Sequence, residues 1–137
     1  MKKRIFIIGA ILIGSFALLS VTILNSNQQE TWEVPAKYKK MKNPYANAVD
    51  DENIGRILYS KHCKSCHGTK GKGDGKKAES VDTPIGDFTD GSVKKQTDGA
   101  LYYKSFTGRD DMPGFEKKIK DDEERWLIIN YMRTLQE

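Results

Sequence analysis

The 137-residue chain predicts an all-α protein, with one small helical domain preceded by a single transmembrane helix. Three observations carry that prediction. Residues 5–24 contain no charged side chain. Three later stretches repeat their apolar residues at helical rather than two-residue spacing. The motif Cys63-Lys64-Ser65-Cys66-His67 closes the first of those stretches. No internal repeat or low-complexity tract interrupts them, and strand-like alternation is scarce.

The N-terminal element follows from length and charge. At about 1.5 Å per residue, an apolar run of this length spans about 30 Å, the hydrocarbon thickness of a bilayer. A removable signal sequence has a shorter apolar core and a small-x-small cleavage site. The triplet Ser20-Val21-Thr22 lies inside the run, so a retained anchor is the preferred reading. Lys2, Lys3 and Arg4 then stay on the cytoplasmic side and the rest of the chain is exported. Residues 1–24 are therefore expected as anchor, 25–48 as a polar linker and 49–137 as the domain. Trp32 and Tyr38 in the linker fit either lipid headgroups or the domain surface. The chain carries 23 Lys+Arg and 19 Asp+Glu, and three of the bases precede the apolar run. The exported part is thus nearly neutral, which argues against nucleic acid as a partner.

Within the domain, the first helix is expected over residues 51–66, with Asp50 as its cap and Ile54, Leu58 and Tyr59 on its apolar face. Gly55 in its middle costs about 1 kcal/mol relative to alanine, which marks a close helix crossing. The second helix starts near Asp98, runs through Leu101, Tyr102 and Phe106, and stops at Gly108. The last begins at Asp121, which forms a capping-box pattern with Glu124, and carries the stripe Leu127, Ile128, Tyr131 and Leu135. A short helix is expected at residues 115–119. Residues 68–91 form a loop rich in glycine and lysine. Its Gly71-Lys72-Gly73-Asp74-Gly75 run follows a helix and lacks the phosphate-loop consensus, so the glycines are read as tight turns beside a flat ligand.

The cysteine motif carries the chemistry. C-x-x-C-H is the pattern of covalent haem attachment. Cysteines three apart share one helix face, so both sulfurs reach the two vinyl groups of a porphyrin, and the next histidine ligates the iron. A thioredoxin-type pair wants a preceding strand. A zinc site wants four closed ligands, and His62 abuts the first cysteine too closely to be one. A Cys63–Cys66 disulfide would close a tiny, strained loop. For the sixth iron position the chain offers Met1, Met41, Met112 and Met132. Met112 stands in Gly108-Arg109-Asp110-Asp111-Met112-Pro113-Gly114-Phe115, where Pro113 biases it toward extended geometry. The candidate cofactor site is Cys63, Cys66, His67 and Met112, with His67 and Met112 as iron ligands. Such ligation raises the reduction potential and closes the iron.

Cys63-Lys64-Ser65-Cys66-His67-Gly68, Asp111-Met112-Pro113-Gly114-Phe115 and the paired terminal helices together resemble a class I (mitochondrial-type) monohaem cytochrome c, specifically a membrane-anchored bacterial member. The resemblance covers about residues 50–136. It implies a small cytochrome c fold with crossing N- and C-terminal helices around one covalent haem c. Gly55 and Tyr59 take the family's glycine and aromatic positions on the first helix, and Ile128 and Tyr131 their counterparts on the last. It also implies a proline carbonyl orienting the histidine, for which Pro84, 17 residues after His67, is the only proline between His67 and Met112. Phe88 and Phe115 are expected against the haem, and Arg109 beside a propionate.

The implied role is a one-electron carrier at the outer face of a bacterial inner membrane, with no catalytic residues and no small-molecule substrate. Its partners would be a quinol-oxidising complex and a terminal oxidase or reductase. The alternatives are a fixed haem subunit of a larger complex, or a haem enzyme such as a peroxidase, which requires an open iron position. Residues 61–77 hold six lysines and one acid, whereas residues 110–124 hold seven acids and three lysines. That asymmetry either steers an acidic partner toward the attachment side or solvates the surface.

Overall fold

A computed structural model describes residues 31–136 and divides the chain into two units, Met1–Glu33 and Val34–Glu137. The expected anchor lies outside the described residues; among those described, no helix is long and apolar enough to cross a membrane. The second unit contains six helices among the described residues: α1 (Ala36–Lys39), α2 (Ile54–His62), α3 (Lys64–His67), α4 (Gly91–Lys94), α5 (Asp98–Thr107) and α6 (Asp122–Thr134). A 3-10 turn at Ala78–Ser80 lies between α3 and α4. The only β-type pairing among the described residues is one isolated bridge between Arg109 and Met112.

The crossing of α2 and α6 organises the core. A Cβ on Gly55 would collide with the Leu127 carbonyl and press on Tyr131 Cβ at 3.2 Å. Only glycine allows that backbone approach, so the presence of Gly55, second residue of α2, has a packing cause. α6 contributes Trp126, Leu127, Ile128, Ile129 and Met132 to the interior. Opposite them, Tyr59 from α2 and Leu101, Tyr102 and Phe106 from α5 complete one cluster with Phe88, Phe115 and Ile119. Burying each large apolar side chain stabilises the fold by about 1.5–3 kcal/mol.

The helix ends follow local chemistry. Asp121 Oδ1 accepts from the Glu124 amide at 3.2 Å, as its capping pattern requires. Thr97 Oγ1 accepts from the Ala100 amide at 3.2 Å and so opens α5. At α2 the cap comes from further back. Asp50 accepts from the amides of Ile54 at 2.8 Å and Gly55 at 2.9 Å, one through each carboxylate oxygen. Asn53, at φ 56°, turns the chain into the helix between them.

Three expectations need correction. The single helix over residues 51–66 is two helices, α2 and α3, with a break at Cys63. It starts three residues late because residues 51–53 form the turn that lets Asp50 reach the first amides. The short helix at residues 115–119 is one turn, closed by the Ile119 amide bonding the Phe115 carbonyl at 2.9 Å. The expected linker contributes structure from Val34 onward. Tyr38 packs on Tyr103 with ring centroids 4.7 Å apart. Asn43 donates to Asn130 Oδ1 at 2.7 Å, and Asn130 donates to the Tyr45 carbonyl at 2.7 Å. Polar side chains that face solvent in a free linker find long-range partners here, which composition alone does not reveal.

Candidate functional site

Cys63 stands at the junction of α2 and α3, and Cys66 and His67 lie on α3 itself. Both cysteines are free thiols and partly buried. Burial, with the neighbouring Cys66 adding to it, pushes the Cys63 thiol up to about 12. The short α3 is held from outside by the glycine-rich loop folding back over it. Gly73 donates to the His67 carbonyl at 2.9 Å, Gly75 to Cys66 at 3.0 Å and Lys77 to Ser65 at 2.8 Å. Tyr59 also reaches this loop, donating its hydroxyl to the Gly68 carbonyl at 2.8 Å. Burial raises the pKa of Tyr59 above the usual phenol value, so the group remains a donor.

The His67 ring is fixed on two sides. Phe88 stacks on it with centroids 4.7 Å apart and planes 22° from parallel. Nδ1 faces the Gly86 carbonyl at 3.4 Å. Burial lowers the imidazole pKa and the Gly86 contact partly opposes that, which favours the neutral ring that metal ligation requires. The orienting carbonyl therefore belongs to Gly86, two residues beyond Pro84. With Nδ1 engaged there, Nε2 is the nitrogen presented to a ligand.

Met112 lies half-buried in the loop between α5 and α6. Its amide and carbonyl pair with those of Arg109, both at 2.9 Å, so Met112 has the non-helical geometry that Pro113 demands. The loop base is tight. Gly108, at φ +75°, has no room for a Cβ against Met112, Pro113 and Gly114. Two contacts bring this loop to the attachment side. Phe115 packs against His62 with ring centroids 5.6 Å apart. Asp111 Oδ2 accepts from the Thr83 amide at 2.9 Å and the Thr83 hydroxyl at 2.8 Å. Those donors, backbone first, hold the Asp111 carboxyl below the usual carboxylate range. Arg109 pairs with Asp110 at 2.9 Å.

The roles of Gly86, Thr83 and Asp111 were not visible in the sequence. A backbone carbonyl acceptor leaves no residue-type signature, and the Thr83–Asp111 pair is 28 positions apart. The one available signal was the position of Asp111 directly beside Met112.

The donor set fits a covalently held porphyrin. It has two unpaired thiols on consecutive turns, a neutral imidazole with one nitrogen already oriented, and a thioether on a loop of fixed shape. A helical fold with that set defines a c-type haem protein. A family model described as Cytochrome c matches residues 52–136. The chain belongs to the cytochrome c family, whose cofactor is covalent haem c with its iron, and it is a haem-based electron carrier that works through redox partners. No curated protein matches the chain.

Proposed function

We propose that this protein is a class I one-electron carrier with His/Met ligation, anchored by residues 5–24 at the outer face of a bacterial inner membrane. In this reading it takes electrons from a quinol-oxidising complex and delivers them to a terminal oxidase or another exported reductase. The uncharged N-terminal run supports the anchor, and the three bases before it support the orientation. Cys63 and Cys66 hold the cofactor through thioethers. His67 would ligate through Nε2, its Nδ1 being turned to the Gly86 carbonyl, and Met112 through its sulfur. Bound haem iron supplies reversible one-electron exchange between ferric and ferrous states.

The chain supplies the rest. Phe88 and the Gly86 carbonyl keep the imidazole from rotating. The Arg109–Met112 pairing holds the thioether in one loop conformation, which limits rearrangement between the two oxidation states. Ligation by both His67 and Met112 would leave no position for substrate, and this favours carrier over enzyme. The observation that carries the reading is the fixed Met112 loop joined to the attachment side by Phe115 and Asp111.

The test is Met112→Ala in the haem-loaded protein. The ferric wild type should show the far-red sulfur–iron charge-transfer band; the variant should lose it and bind carbon monoxide when ferrous. A variant that keeps the band refutes Met112 as ligand. Fractionation of cells followed by haem-stained native gels tests the location: haem in the soluble fraction refutes the anchor.

A further inference from the structure

One carboxylate joins the Met112 loop to the strip that faces His67. The base of the Met112 loop is secured by close packing of Gly114 against Thr107 and by the Glu116 amide bonding the Phe106 carbonyl at 3.2 Å. Its tip is shaped by the two Arg109–Met112 bonds, which tie the turn to itself. Asp111 reaches further. Its Oδ2 receives both the amide and the hydroxyl of Thr83, at 2.9 and 2.8 Å. Three residues on, the same strip presents the Gly86 carbonyl to His67 Nδ1. The strip is seated in turn, because Ile85 lies directly against Gly73 of the glycine-rich loop.

We propose that Asp111 is a positioning residue for Met112: it clasps the Met112 loop to the strip of residues 81–86 and so keeps the thioether on the iron. The inference rests on the reading of Met112 as sixth ligand. Asp111 does not touch the metal. It acts through the loop, and its loss raises the population of a state in which Met112 has swung away. An added ligand that binds only that state then binds more tightly, in proportion to the population.

The experiment uses the full-length, haem-loaded ferric protein and imidazole as the added ligand, with the far-red band as readout. Asp111→Ala removes the acceptor of two hydrogen bonds and should tighten imidazole binding about three- to tenfold. Thr83→Val keeps the amide donor and should give an intermediate shift, which Thr83→Ser restores toward wild type. Should Asp111→Ala fail to acquire haem, the Thr83 pair decides. Tyr102→Phe is the control for general destabilisation: it breaks the 2.6 Å bond to Asp122 elsewhere in the core and should leave imidazole affinity unchanged. Wild-type affinity in Asp111→Ala, or equal tightening in Tyr102→Phe, overturns the clasp. Loss of the band in Met112→Ala alongside unchanged titration in Asp111→Ala refutes the clasp alone. Retention of the band in Met112→Ala refutes both readings.

Discussion

Replacing Gly55 with alanine tests the helix crossing directly. The added methyl would meet the Leu127 carbonyl, which is backbone and cannot swing aside, and would also press on Tyr131 Cβ at 3.2 Å. Overpacking of this kind costs about 1–3 kcal/mol, and a rigid backbone neighbour puts the cost near the upper end. Gly55 is the second residue of α2, in its first turn, so alanine recovers at most the about 1 kcal/mol that separates it from glycine in a helix interior. The net loss is therefore about 2 kcal/mol, which in a domain of this size lowers Tm by about 8–16 °C. The assay is thermal unfolding of the haem-loaded protein followed by far-UV circular dichroism, with urea unfolding as a second measure. A Tm unchanged within about 2 °C, or raised by the propensity gain, would refute the claim that Gly55 exists for the close approach of α2 and α6.

Asn130→Ala removes the bond from Asn43 and the bond to the Tyr45 carbonyl. It should cost about 1–3 kcal/mol in urea unfolding and speed proteolysis within residues 34–48; unchanged cleavage would show that this segment is not held by α6. His62 is partly exposed, and burial first, then Lys61 and Lys118, lower its pKa below the usual imidazole value of 6.5. The unfolded chain therefore takes this proton first as pH falls, so the neutral ring's contribution to stability is complete above 6.5 and drains away below it. His62→Gln should lose less stability than wild type between pH 7 and about 5 in pH-dependent melting, and parallel curves would refute the assignment.

The α2–α6 crossing was legible because a glycine inside the expected helix violates local propensity and asks for a reason from outside it; the later helix start puts Gly55 in the first turn, and the close approach to Leu127 remains the reason. The Asp121 cap and the Gly108 stop were equally readable, since each is a matter of residues adjacent in sequence. The attachment motif was readable for the same cause: its spacing carries its geometry. Features made by distant polar pairs stayed hidden. Asn43 and Asn130 look like ordinary surface amides, and nothing in either neighbourhood foretells their bond. Pro84 drew attention by its residue type, yet the carbonyl facing His67 belongs to Gly86, where residue type is irrelevant. The four-residue helix α4 was missed because a single turn has no periodicity to detect.

The meeting of Gly55 with Leu127 also sets an order of events during synthesis. These positions are about seventy residues apart, so their closure carries the entropy cost of a long loop. The thiols of Cys63 and Cys66 emerge well before the terminal helix that pins their own helix down. Until that late partner arrives, the helix that leads to the two thiols lacks the neighbour it crosses, and the thirteen-residue helix α6 closes the core last.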